Sequence, residues 1–188
     1  MTLSFFIYIK YMDNLKIASL DRAKTIELVQ LLGLVGVAMF LPFVLHLQWI
    51  TGPVINAILI LVLFLGGLRS AIVVSLVPSL MALSGGLLPV VLAPILPFIM
   101  LSNIIYIIAI QYFYHSIKKE QMSFLIAIII ASSLKFLFLF STTSIMTNLV
   151  AKQALVGKIA AMMSWPQFFT ALTGGLIAFL VLKWLKRI

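Results

Sequence analysis

Residues 28–68, LVQLLGLVGVAMFLPFVLHLQWITGPVINAILILVLFLGGL, run for 41 positions without one Lys, Arg, Asp or Glu. Arg69 interrupts them, and a second charge-free stretch follows at once, over residues 70–117. Roughly 20 consecutive apolar residues cross about 30 Å of hydrocarbon, so each stretch is long enough to cross more than once. The whole chain is 64% hydrophobic over 188 residues, with a mean hydropathy of +1.26, which excludes a soluble domain. The reading is an all-α integral membrane protein, multi-pass, forming one domain over residues 1–188.

Lengths and breaks predict six transmembrane helices, at residues 26–45, 53–67, 70–83, 97–115, 122–141 and 165–182. The second and third are short and pair tightly across Gly66-Gly67-Leu68-Arg69, with Pro78 kinking the third. Gly85, Gly86, Pro89, Pro94 and Pro97 forbid continuous helix between the third and fourth, leaving an apolar cap or a re-entrant loop.

The sparse cations orient the chain. Ten of thirteen (Lys10, Lys16, Arg22, Lys24, Arg69, Lys118, Lys119, Lys183, Lys186 and Arg187) fall at alternate breaks, which the positive-inside rule assigns to the cytoplasm. Both termini are then cytoplasmic, and the links at 46–52, 85–96 and 142–164 lie outside. Lys152 and Lys158 run against this assignment. The last link is predicted to carry an amphipathic helix with Val150, Ala154, Ile159 and Met162 toward the membrane. Residues 1–25 are read as a cytoplasmic or interfacial lead-in, with Met12 as an alternative start. The expected location is a cell membrane, of the prokaryotic plasma-membrane type.

A net charge of +9 raises nucleic acid as a partner, but the basic residues are dispersed over turns and termini with no aromatic-interleaved basic face. Anionic lipid headgroups are the expected partner, and no nucleic acid. Zero cysteines remove disulfides, thiolate metal sites and Cys nucleophiles together. The two histidines are far apart, so no metal and no cofactor is expected. No phosphate-cradling Gly-x-x-x-x-Gly-Lys-Ser/Thr loop, Gly-x-Ser-x-Gly or His-Glu-x-x-His occurs. Apart from Glu27, at the inner mouth of the first helix, no carboxylate lies in a span, which leaves no proton relay and no Mg²⁺ site for phosphate chemistry. The chain is not expected to be an enzyme.

Lys135 is the one cation inside a predicted span, about 9 Å from its outer end. Either its long stem snorkels outward or its ammonium meets a ligand; both readings stay open. Asn103 and Tyr106, Ser132 and Ser133, and Gln167 fall at the same depth on three helices. Each alone also reads as an interhelical hydrogen bond. Together they outline a cavity open to the outside, with Lys135 facing an anionic group and Asn103 and Gln167 as hydrogen-bonding partners. The first outer link, with His46, Gln48 and Trp49, is placed to fold over it. Trp49 and Trp165 fit equally a ring-stacking role and the interfacial aromatic belt. His46 reads as an interfacial residue. Ala127 with Ala131, Ala171 with Gly175, and Gly174 with Ala178 are small pairs at fourfold spacing, suited to close helix packing.

In order along the chain stand Gly52-Pro53-Val54-Ile55-Asn56, Leu65-Gly66-Gly67, Pro78-Ser79, Gly86-Leu87-Leu88-Pro89, and Pro94-Ile95-Leu96-Pro97-Phe98-Ile99-Met100 with Asn103. This order, in a six-span chain of this size, resembles the substrate-binding S component of energy-coupling factor (ECF) vitamin transporters. The resemblance implies an S-component-like bundle that captures a vitamin or related micronutrient from outside. It also implies docking on a transmembrane T component driven by two ATPase subunits. Substrate contacts are then expected from Lys135, Asn103, Tyr106, Gln167, Trp165, Trp49, Gln48 and Asn56. The family docks through Ala-x-x-x-Ala on its first helix; here Gly33, Gly36 and Ala38 supply small residues without that spacing. Two other classes remain: a self-contained secondary carrier or facilitator, and a structural assembly subunit of a membrane complex.

Overall fold

The computed structural model describes residues 25–88, 90–116, 120–150 and 163–188. Among them there is helix and no strand. Five helices are long and apolar enough to cross a membrane: α1 (Thr25–Val44), α2 (Gln48–Ser84), α3 (Leu96–Ser116), α4 (Glu120–Val150) and α5 (Trp165–Trp184). A short 3₁₀ segment, Val90–Ile95, precedes α3.

At 37 residues α2 would extend about 55 Å if straight, far beyond a bilayer core. It is broken at Gly67, whose φ of 78° and ψ of 172° belong to a region that essentially only glycine enters. Asn56 and Ser79 prove the reversal: 23 positions apart, they are joined through Asn103 and Lys135 by three hydrogen bonds of 2.7 to 3.4 Å. The two arms, 48–66 and 68–84, therefore lie side by side with Arg69 at the turn. This is the pairing expected at Gly66-Gly67-Leu68-Arg69. Pro78, expected to kink the second arm, keeps helical backbone angles; the non-helical break lies at Gly67.

The first arm is the axle of the bundle. Residues 55–63 are buried without exception, which explains why this segment is apolar on all sides except at Asn56. Against it lies α5, running parallel. A Cβ on Gly174 would stand 2.6 Å from Asn56 Cβ and from the Pro53 carbonyl oxygen, so only glycine permits this approach. On its other side α5 meets α4 in antiparallel contact, from Gly175 at Ile128 to Trp165 stacked on Phe136. Helix α3 closes the ring between α4 and the second arm of α2. The small pairs at 127/131, 171/175 and 174/178 are all buried.

Helix α1 is peripheral, with 11% of its spanning window buried against 33–50% for the others. Its inner edge, including Ala38 and Pro42, rests on the α2 hairpin. Arg187 binds Glu27 at 2.9 Å, joining the end of the described chain to the start of α1. Beside that end, Phe64, Tyr114, Phe124 and Phe179 interlock with ring centroids 5.0 to 6.1 Å apart. They form an aromatic layer at one end of the molecule.

The predicted span boundaries hold within a few residues, with two differences: α2 begins at Gln48, five residues before the expected start at 53, and α4 ends late. Helix α4 continues to Val150, nine residues past the expected end at 141, so Val150 belongs to α4 and not to a separate link helix. Lys152, Ala154, Lys158, Ile159 and Met162 lie outside the described residues, as do the lead-in at 1–24 and Lys118 and Lys119.

Candidate functional site

At the end of the bundle away from the aromatic layer, the ends of several elements converge. They are the C-terminal turn of α1, the start of α2, the close of its second arm, and the first turns of α3 and α5. They line a partly open cavity of about 110 Å³. Its walls are mostly apolar: Ile55, Pro78 and Ile99 come from α2 and α3, Leu88 from the turn after α2, and Met163 from just before α5. Two short covers border it. The link at 45–47 precedes α2, where Thr51 Oγ1 donates to the carbonyls of Leu45 and Leu47 at 2.9 and 3.1 Å. The turn at 85–88 follows α2 and contributes Leu87 and Leu88. His46 Nε2 and the Gly85 carbonyl oxygen, 2.9 Å apart, tie the two covers together.

The polar floor comes from helix interiors. Lys135 is 3% exposed, 15 residues from either end of α4, at roughly 22 Å of helix. Its Nζ donates to Asn56 Oδ1 and to Asn103 Oδ1, each at 2.7 Å. The snorkelling alternative is therefore not adopted: the helix extends further than the sequence suggests, and the ammonium turns inward. Asn103 is held by its own amide group, which donates to the Ser75 carbonyl at 3.2 Å and to Ser79 Oγ at 3.4 Å. The ammonium also lies 5.2 Å from the centroid of the Tyr106 ring, a cation–π distance. Tyr106 is itself fastened by its hydroxyl, which donates to the Ala171 carbonyl at 2.7 Å.

No carboxylate among the described side chains reaches Lys135, since Glu27 is paired with Arg187 at the far end. The floor is thus one ammonium balanced only by amide oxygens and a π face. Isolated charge at such depth is costly unless it is compensated. This is the feature that marks the cavity as a site.

The candidate residues divide sharply. Lys135, Asn103, Asn56, Gln48 and Gln167 all line the cavity, and Tyr106 lies directly beneath it. Gln167 also approaches Met163 Sδ at 3.8 Å. Trp49 and Trp165 do not line it: they are 61% and 62% exposed, and Trp165 spends its face on Phe136 with centroids 5.0 Å apart. Ser133 faces outward and bonds the Ile129 carbonyl, and neither it nor buried Ser132 lines the cavity. On α1, Gly33 and Gly36 stand open with nothing within 4 Å of an added Cβ, whereas Ala38 is fully buried on the opposite side. Ala38 therefore cannot belong to a docking surface with them.

Sequence reasoning missed Ser75, which positions Asn103, and Met163 and Pro42 on the wall. Ser79, a polar residue in an apolar arm, was the available signal; Ser75 acts through its backbone carbonyl, which any residue would supply.

Fold and site define an all-helical protein of multi-pass membrane type with a buried cationic pocket. No protein-family model matches the chain, and neither does any curated protein or solved structure.

Proposed function

We propose that the chain is a membrane-embedded capture subunit that binds a small anionic nutrient, and that it serves an ECF-type importer. On this reading the α2 hairpin counts as two crossings, giving six in all with both termini cytoplasmic. The positions of Arg69, Lys183, Lys186 and Arg187 support that orientation. They gather at the end with the aromatic layer, while the described cavity end has no exposed Lys or Arg. The positive-inside rule then turns the cavity outward. A T component and two ATPase subunits would supply the energy that this chain has no motif to provide.

The observation that carries the reading is the buried Lys135 ammonium on a mostly apolar cavity wall, held by Asn56 and Asn103 with no carboxylate partner among the described side chains. A ligand anion supplies the missing charge. At about 110 Å³ the cavity is smaller than the roughly 150 Å³ cavity that holds a benzene, and well below a typical ligand pocket of about 300 Å³ or more. A vitamin-sized molecule requires the cover tied by His46 and Gly85 to lift. Mass spectrometry of small molecules retained through gentle purification tests the reading. A bound anion lost in Lys135→Met supports it, and the same molecule retained equally by both proteins overturns it. Transport by the purified chain alone in liposomes would instead select a self-contained carrier.

A further inference from the structure

We infer that the group bound against Lys135 is a single carboxylate carried on a short aliphatic chain. This rests on the capture reading and narrows it, since a lone cation by itself accepts either a carboxylate or a phosphate.

Charge balance separates the two. The cavity lining contains one Lys and no Arg, His or acid among the described residues. A carboxylate cancels one ammonium. A phosphate monoester carries about −1.5 to −2 near neutral pH, and so leaves negative charge uncompensated in an apolar chamber.

Donor counting agrees. An ammonium has three N–H groups, and two of those on Lys135 are engaged by Asn56 Oδ1 and Asn103 Oδ1. One remains. Asn103 Nδ2 is already committed to Ser75 and Ser79, but Asn56 Nδ2 has no hydrogen-bond partner among the described residues. Because Nδ2 shares its amide carbon with an oxygen 2.7 Å from Nζ, the two donors stand within about 5 Å of each other. These two adjacent donors suit the two oxygens of a carboxylate, while Gln48, Ser79 and Gln167 stand elsewhere on the lining. The rest of the lining is mostly apolar and holds no aromatic ring, and about 110 Å³ takes a chain of roughly four or five carbons.

The test uses three probes of similar length on the purified full chain in detergent, by titration calorimetry at pH 7.5: butyrate, butyramide and n-propyl phosphate. Butyrate is expected to bind at least about tenfold more tightly than butyramide, the difference between a charge-assisted and a neutral hydrogen bond, and more tightly than n-propyl phosphate, whose excess negative charge finds no cation on the described lining. Asn56→Asp gives the ammonium a carboxylate of its own and is expected to erase the preference for butyrate while keeping or raising the Tm, so misfolding does not confuse the result. Butyramide or propyl phosphate binding as tightly as butyrate overturns the carboxylate assignment and leaves capture standing. Failure of all three to bind at tens of millimolar overturns the short-chain carboxylate assignment, whereas capture itself falls only if the wild-type chain retains no small molecule through gentle purification.

Discussion

Substituting Gly174 by alanine is the sharpest test of how α5 positions the floor of the cavity. The added Cβ would lie 2.6 Å from Asn56 Cβ and 2.6 Å from the Pro53 carbonyl, where ordinary contact begins near 3.4 Å. The helices must part locally by about 0.8 Å. Both obstacles belong to the first arm of α2, which is buried on all sides and cannot yield freely. Overpacking of this kind costs about 1–3 kcal/mol, or roughly 2 to 12 °C in Tm for a chain of this size. The same shift, passed to Asn56, would stretch its 2.7 Å bond from Lys135 toward 3.5 Å, the outer limit of a hydrogen bond. Thermal unfolding in detergent reads the first effect. Gly33→Ala is the internal control: nothing lies within 4 Å of its Cβ, and alanine is the better helix former by about 1 kcal/mol, so its Tm should hold or rise. Equal melting of Gly174→Ala and wild type would refute the close approach of α5 to α2.

Gly67→Ala forces a Cβ into φ 78°, ψ 172° and should cost about 1–3 kcal/mol by straining the α2 hairpin, seen as a lowered Tm; an unchanged Tm would show that the turn relaxes freely. His46→Ala removes the tie between the two covers and should speed hydrogen exchange at the Leu88 amide, now bonded to the Ala82 carbonyl at 2.8 Å, while lowering Tm by only a few degrees. The chain has no cysteine, so single introductions report cleanly on topology. In intact cells an impermeant maleimide should label Leu47→Cys and spare Arg69→Cys; labelling of both, or the reverse pattern, would reject the orientation.

Much of the fold was legible because hydrocarbon tolerates so little charge. The gaps between Glu27, Arg69 and the cations beyond them placed α1 at 26–45 against an observed Thr25–Val44, and located the reversal at Gly67. The glycines and prolines of 85–97 foretold the break that becomes a turn and a 3₁₀ segment. Asn103, Lys135 and Gln167 were found because polar groups at one depth are conspicuous in apolar helices.

Rotation about each helix axis was a different matter. A membrane helix is apolar toward lipid and toward its neighbours alike, so no hydrophobic stripe reveals its inward face. Tertiary packing alone turned Lys135 toward Asn56, drew Ser75 behind Asn103, sent Trp49 and Trp165 outward and buried Ala38. Composition determined that this chain has helices long and apolar enough to cross a bilayer, and roughly where; only the packing of α2, α3 and α4 decided that the one buried cation among the described residues meets two amides at the edge of a cavity.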